Sequence, residues 1–506
     1  MKQSMITRIT LVALLAFVLV TQCMAATRRS FWEDEAWTAG VVTLPLAQLP
    51  TAIAHDSHPP LYFTSVALWS RIAGADEFGL RSFSILWALL IVVAIYALGA
   101  ILSSPPAGLI ASVLVACSPL LLTYGHTARY YSMAGALSLG VALSCALYLR
   151  TAQRRYLGLY ILSSLMLIYT VYLSIGVLLG CVLWGLITWI QQGYPRRTLV
   201  DGLVAHGLIA IGFLPWVPTM LNQIGKEVPS GGAGTPLLLG IVQRISFVGF
   251  SFSVGETISP LNVVAWIGLL LTVFALGWLI VARTTTPNRW VPPLLSIVML
   301  AVAIAITIPV KYPESAPQAL PNRGFFILPF FILWVATGIS LLRKNRALLV
   351  TGALVAVSFV GVGNYFTDRE FLKPFLIVPW REITANIATQ ATPATAIVCN
   401  QADTTCAYYI RRVGLTPLAP TAATRTILQQ RQVVWWLQVN MAESVYAKDV
   451  ERQLFAELQA TAQAELWAYA PQDLSIRQFK TTFLQQNDYA YRISVYRFTR
   501  NGPPKR

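Results

Sequence analysis

Three consecutive carboxylates, Glu33-Asp34-Glu35, stand in an aromatic frame, with Phe31-Trp32 before them and Trp37 after. A carboxylate within hydrogen-bond reach can take the proton from an attacking hydroxyl, a contribution worth roughly 10²–10⁴-fold in rate. Further on comes His55-Asp56-Ser57-His58-Pro59-Pro60-Leu61-Tyr62, which holds two of the chain's four histidines beside an acid and a Pro-Pro brake. A third segment is Arg81-Ser82-Phe83-Ser84, and a fourth is Tyr124 to Ser132, where Arg129 lies among tyrosines. Imidazole and guanidinium groups can absorb negative charge developing on a departing phosphate, arginine in bidentate fashion. Taken singly, each segment also has an ordinary explanation: solvated acids, a chance pair of histidines, aromatic anchors at a membrane surface.

The elements that must position these residues follow from composition. Of 506 residues, 56% are hydrophobic and 11% charged, against about 25% charged in an average soluble domain. A soluble globule, a disordered chain and a coiled coil are excluded, leaving a polytopic membrane protein. The net charge of +16 marks loop sidedness rather than nucleic-acid binding, because Lys and Arg gather in cytoplasmic loops. A spanning helix needs about 20 mostly apolar residues. The first such run, 6–26, reads as an uncleaved anchor, although Ala25-Ala26 also fits a signal-peptide cleavage site. Ten more lie near 82–102, 107–124, 131–149, 156–173, 174–191, 199–219, 262–282, 292–309, 324–342 and 347–364.

Loops after the even-numbered spans carry Arg150, Arg154, Arg155, Arg196, Arg197, Arg283, Arg289, Arg343, Lys344 and Arg346, while the other loops carry the acids. The expected protein is therefore a multi-pass plasma (inner) membrane protein with a cytoplasmic N-terminus. All four chemical segments then fall on the outer side. Long outer loops are expected at 27–81 and 220–261, beyond usual loop length and so functional. The fold class is mainly α: a transmembrane domain over 1–364 and a small extracytoplasmic soluble α/β domain over 365–506. The latter holds 27 of the 58 charged residues. Strands are expected at 395–399, 433–439 and 491–498, with helices at 403–412 and 445–462. Trp435-Trp436 should be core. Trp32, Trp37, Trp69 and Trp380 suit an interfacial aromatic belt. Cys399 and Cys406, seven apart in an oxidising compartment, are expected to pair.

In order, spacing and sidedness, several motifs resemble one group of membrane enzymes. They are Asp34-Glu35-Ala36-Trp37, Asp56 to Tyr62, Gly74 to Glu77, Leu80-Arg81, Ser118-Pro119 and Tyr124 to Ser132. The match is weaker at Pro321-Asn322-Arg323-Gly324-Phe325 through Pro329, and at Trp380-Arg381 to Tyr409. The chain resembles GT-C glycosyltransferases of the family 39 type, which are related to protein O-mannosyltransferases and the lipid A aminoarabinose transferase. The resemblance implies transfer of a monosaccharide from a polyprenyl-phosphate sugar donor to a hydroxyl of a glycan, lipid or protein outside the membrane. By it, Asp34 is the essential acid of the first outer loop, with Glu35 supporting it and Asp56 orienting His58 or the acceptor. His58, Arg129 and Arg323 take the family's places near the carrier phosphate, and Lys311 is a further candidate.

Single displacement by a hydroxyl activated at Asp34 would invert the anomeric centre, whereas double displacement needs a second carboxylate at close quarters. Many relatives carry an acid before the third-span arginine, where this chain has His126-Thr127. Asp56, His55 and His126 could supply metal ligands instead, so a divalent metal stays open and no other cofactor is expected. The alternative function is a transporter or flippase for a lipid-linked glycan. Transporters show internal repeats and midplane ionisable residues, whereas here the acids gather at one face.

Overall fold

The computed structural model describes residues 2–193, 196–226, 237–282, 288–307, 316–399, 404–440, 449–469 and 492–500. In chain order the first helices are α1 (Lys2–Arg28), α2 (Glu33–Val42), α3 (Leu49–Ala54), α4 (Leu61–Ala73), α5 (Glu77–Leu102) and α6 (Pro105–Cys117). There follow α7 (Pro119–Gly125), α8 (Tyr131–Thr151), α9 (Arg154–Ile168), α10 (Ile175–Gln192), α11 (Arg196–Phe213) and α12 (Val217–Lys226). Then come α13 (Leu237–Val254), α14 (Val263–Val281), α15 (Val291–Thr307), α16 (Ala316–Arg323), α17 (Leu328–Ser340) and α18 (Lys344–Thr367). The remainder contains α19 (Trp380–Gln390), β1 (Thr395–Cys399), α20 (Thr404–Arg412), β2 (Pro417–Leu418) and α21 (Arg425–Gln430). It closes with β3 (Val433–Asn440), α22 (Asp449–Thr461), β4 (Gln463–Tyr469) and β5 (Arg492–Thr499).

The chain forms two compact units, one of residues 1–27, 41–258 and 262–367, the other of 28–40, 259–261 and 368–506. Among the described residues of the first, eight helices are long and apolar enough to cross a membrane, or nine if one bent pair is a single span. That pair is α6 and α7, bent by 62° where Pro119 removes a backbone donor and Ser118 caps the new helix by accepting from the Leu120 N–H. Two shorter apolar helices lie at 291–307 and 325–340. This is the many-spanned, mainly helical membrane fold expected.

Three details differ from the sequence reading. The expected outer loop 220–261 contains α13, an 18-residue helix apolar enough to span, whose pattern is broken up by Gln243-Arg244 and interspersed serines. The span expected at 156–173 is a 15-residue helix ending at Ile168. Trp380 is not a belt residue, being buried, whereas Trp69 is half-buried with its indole donating to the Gly79 carbonyl and the Ser82 hydroxyl.

The second unit carries a small α/β fold on a five-stranded sheet of order β2-β1-β3-β5-β4, and it takes in residues 28–40 and 259–261, which the sequence reading places in the transmembrane domain. β1 lies parallel to β2 and β3, while β5 is antiparallel to both β3 and β4. One sheet face presents Val398, Val434, Trp436 and Phe498 to Leu428, Leu454 and Leu458. Trp435 and Trp436 are core, as expected. β2 and β4 were not foreseen, the first being two residues long and the second largely exposed. Cys399 and Cys406 form a disulfide with Cα atoms 5.7 Å apart. Residues 445–448 of the expected helix and residue 491 of the expected strand lie outside the described residues.

Helices in a bilayer gain little from hydrophobic contact with one another, so close approach through small residues carries much of their packing. A Cβ on Gly338 of α17 would lie 2.0 Å from the Ala275 carbonyl oxygen of α14. Gly338→Ala should therefore force the two helices apart, cost about 1–3 kcal/mol and lower the unfolding midpoint in detergent. Gly352→Ala, with nothing within 4 Å of its Cβ, should leave the midpoint unchanged or slightly raised. Scanning fluorimetry of the two purified variants checks the contrast, and equal midpoints would contradict it.

Candidate functional site

The acids and the cations belong to different units. Glu33, Asp34 and Glu35 form the first turn of α2, where the exposed N–H groups and the helix dipole favour negative charge. Asp34 is half-buried and its carbonyl accepts from the Thr38 hydroxyl at 2.9 Å. Glu35, expected at a water boundary, is only 1% exposed. The chain before α2 is fastened within its own unit. Arg28 and Arg29 pair with Asp368 at 2.9 and 2.7 Å, and the Phe31 N–H donates to the Tyr409 hydroxyl at 2.5 Å. The Glu33 carbonyl accepts from Thr404 at 3.1 Å, and the Ser30 hydroxyl accepts from the Arg381 N–H. The Trp32 ring lies against Phe375. Arg381 and Tyr409, within the weaker part of the resemblance, thus frame the chain that leads into the Asp34 helix.

In the first unit the structure brings three of the four sequence segments together. His58 sits in the bend between α3 and α4, and its Nδ1 is 2.9 Å from an Asp56 carboxylate oxygen. Arg129 sits in the turn between α7 and α8 and is 3% exposed. Its Nη2 is nearly equidistant from the two imidazole nitrogens of His58, at 3.5 and 3.4 Å. Such equidistance sets the guanidinium over the ring rather than in its plane. The Phe63 and Tyr130 rings flank it, with centroids 5.4 and 6.0 Å from the guanidinium carbon. Ser84 of α5 links the three segments. Its hydroxyl meets Tyr62 at 3.3 Å and the Arg129 carbonyl at 3.5 Å, while its own carbonyl accepts from Ser132 at 2.9 Å. Arg81 holds the end of α1 by donating to the Ala26 carbonyl.

Arg323 ends α16 and is half-buried. Its neighbour Asn322 donates to the Tyr131 hydroxyl at 3.0 Å, so residues flanking the two arginines are hydrogen-bonded to each other. Glu256, not singled out from sequence, accepts a short hydrogen bond from Tyr124 and another from Ser251 at 3.3 Å. Gln223 is a second omission, since its amide reaches the carbonyls of Ile53 and His58. Nothing in the sequence connects an uncharged residue on α12 with a loop so far upstream.

The metal candidates do not converge. His126 is buried, with Nδ1 near the Leu122 carbonyl and Gln22 Oε1, at 2.9 and 3.1 Å, and Nε2 3.3 Å from the Tyr365 hydroxyl. Both ring nitrogens are thus engaged in tying α1, α7 and α18 together. His55 is exposed. Among the described residues, no three His, Cys, Asp or Glu side chains come together to hold a metal ion. Lys311 lies outside the described residues.

Burial pushes the Asp56 carboxyl up, but the hydrogen bond and charge of His58, with the nearby charge of Arg129, outweigh it and hold the group below its ordinary value. A carboxyl depressed on folding contributes stability that is present above its unfolded value, about 3.9. That contribution is lost as pH falls through the lower folded value. Asp56→Asn should thus lower the unfolding midpoint at neutral pH, and its deficit against the unmodified protein should shrink only below about pH 4. Unfolding curves of both proteins from pH 7 to pH 3 test this; a deficit fading already between pH 7 and 5 would contradict it.

Residues 57–219 match the family described as dolichyl-phosphate-mannose-protein mannosyltransferase. The fold is similar to that of ArnT from Cupriavidus metallidurans bound to undecaprenyl phosphate, with a TM-score of 0.57 at 12% identity over 96% of this chain and 97% of that one. It is also similar to the apo oligosaccharyltransferase of Archaeoglobus fulgidus, with a TM-score of 0.55 at 11% identity over 86% and 69% of the respective chains. The archaeal oligosaccharyltransferase AglB from Archaeoglobus fulgidus, in complex with an inhibitory peptide and a dolichol-phosphate, gives 0.53 at 10% identity over the same shares. No curated protein sequence matches the chain. The chain thus carries the GT-C fold of membrane glycosyltransferases, and the mannosyltransferase-family match spans its His58 and Arg129 segments.

Proposed function

We propose that the protein transfers a monosaccharide from a polyprenyl-phosphate carrier to a hydroxyl acceptor on the outer face of the membrane, with inversion. The observation that carries this reading is the buried Arg129 guanidinium over His58, itself hydrogen-bonded to Asp56. A charge withdrawn from water at the end of an apolar bundle is costly and marks a functional site. Its chemistry suits a phosphate, and so do the bound carriers named for two proteins of similar fold.

In the reaction, the acceptor oxygen attacks the anomeric carbon while its proton passes to Asp34. The bond from that carbon to the phosphate oxygen breaks and its electron pair stays on the phosphate. The leaving group is a phosphate monoester, already a weak base, so it needs no proton. It needs cations against the charge that develops, the role given to Arg129 and Arg323 with His58. Placing the donor site at a membrane face also suits a carrier whose prenyl tail cannot leave the lipid.

The same reading puts the N-terminus in the cytoplasm and residues 365–506 outside. That reading takes α13 to add no crossing, and in its support Arg244, in the middle of α13, donates to the Thr307 carbonyl at the end of α15. Just past its last turn, Glu256 meets Tyr124 and the Thr257 carbonyl accepts from Asn364. The partners in these contacts, Thr307, Tyr124 and Asn364, lie at or near helix ends assigned to the outer side. Arg154 and Arg197 pair with Asp201 at the opposite, arginine-rich side. A reporter fused after Arg506 should be active only outside the cytoplasm.

Asp34→Asn keeps the size of the side chain and removes its ability to take a proton. Turnover of purified protein in lipid should fall roughly 10²–10⁴-fold, about 3–5 kcal/mol of barrier, with donor binding kept. Glu33→Gln should cost far less. Arg129→Ala and Arg323→Ala should each raise the donor KM. Unchanged turnover in Asp34→Asn would move the base to another residue, and unchanged donor kinetics in both arginine variants would overturn the phosphate site. Mass spectrometry of outer-face lipids, glycans and proteins with and without the protein identifies the sugar and its acceptor.

A further inference from the structure

The bend that presents His58 gives two carbonyl groups to one side chain. Gln223 of α12, 2% exposed, places Nε2 at 3.0 Å from the Ile53 oxygen and 3.3 Å from the His58 oxygen. Its Oε1 accepts from the Tyr172 hydroxyl at 2.5 Å, and the Tyr172 oxygen accepts from the Trp216 indole N–H at 2.7 Å. An indole nitrogen can only donate. Tyr172 must therefore accept from Trp216 and turn its own hydrogen toward Gln223. That fixes the amide, with its oxygen facing Tyr172 and both N–H groups facing the bend. Flipped, it would set an oxygen against two carbonyls.

A second tether comes from the same stretch of chain, because the Leu61 N–H donates to the Tyr169 carbonyl at 2.9 Å. The bend is thus held on both sides, from Ile53 to Leu61, by residues 169–172 and the side chain they orient. Between the tethers lies Pro59-Pro60. Proline fixes its own φ and restricts the residue before it, so a displaced His58 carbonyl carries with it the backbone from which the ring springs. A shift at the Gln223 contact would move the imidazole relative to Arg129 and Asp56.

We infer that Gln223, oriented by Tyr172 and Trp216, is a positioning residue for the donor-phosphate site, holding His58 where its ring meets Arg129 and Asp56. The inference rests on the reading of His58 and Arg129 as phosphate contacts. It assigns function to the start of the stretch after α11, which neither the acids nor the arginines explain.

The experiment measures the Kd of undecaprenyl phosphate for the full-length protein in lipid nanodiscs. The variants are Gln223→Leu, Tyr172→Phe, His58→Ala and the double variant His58→Ala/Gln223→Leu. Losing an oriented buried hydrogen bond should weaken binding roughly five- to tenfold in Gln223→Leu and somewhat less in Tyr172→Phe. In the His58→Ala background, Gln223→Leu should weaken it by no more than about twofold, since residues acting through one contact are not additive. Tyr172→Phe preserves shape and keeps the test open if Gln223→Leu does not fold. A folded Gln223→Leu or Tyr172→Phe with unchanged Kd, or full additivity in the double variant, would reduce the network to a structural role and overturn the inference. Unchanged binding in His58→Ala would instead overturn the assignment of His58 to the phosphate, and the inference with it.

Discussion

A guanidinium withdrawn from water at the end of a membrane bundle imposes the central demand on this structure. Removing an ion from water costs several kcal/mol even after relaxation. Around Arg129 the demand is met by an imidazole face, two aromatic rings and an ionised carboxylate one residue removed. Each of those groups must then be held in turn. Asp56 and His58 need a bend of fixed shape, and the carbonyls of that bend need the Gln223 amide donor from α12. Tyr62, Ser84 and Ser132 bind the three chain segments that meet there. The stiff Pro-Pro step, the bent α6–α7 pair and the break between α9 and α10 are the departures from regular helix that let these segments converge.

The polar groups inside the bundle fall into two kinds. Some bolt helices together with both partners satisfied, as His126 does with Gln22, the Leu122 carbonyl and Tyr365. Others crowd like with unlike charge near one end, as Asp56, His58 and Arg129 do. The histidines differ accordingly: one is enclosed with both nitrogens occupied, the other keeps a fifth of its side chain open. That difference in surroundings, not residue type, separates a structural imidazole from one that can meet a ligand.

Much of this was legible in the sequence. The apolar runs, the one-sided arginines and the order of the Asp34, His58 and Arg129 segments gave the many-spanned fold and the cationic cluster, because hydropathy and short motifs are local properties. The two aromatic core residues of β3 and the Cys399–Cys406 bond were equally readable. What escaped depends on distant partners. Gln223 is an ordinary amide until Tyr172 and Trp216 orient it. The α13 pattern is diluted by Arg244, whose charge is answered by the Thr307 carbonyl only in the folded chain. Glu35 reads as a water-facing acid because nothing in a helix of ten residues reveals which side will be covered.

The grouping of residues 28–40 with 368–506 has a consequence for how the protein is made. The acidic helix emerges early from the ribosome, yet the residues that frame it, Asp368, Arg381, Thr404 and Tyr409, come late. At roughly 5–20 residues per second, the roughly 330 intervening residues take tens of seconds to synthesise. Throughout that interval the bundle can insert span by span while the stretch around Asp34 waits without its companions. A nascent protein that has completed its membrane helices thus still lacks the scaffold of its acidic segment, which closes only once Tyr409 has been made.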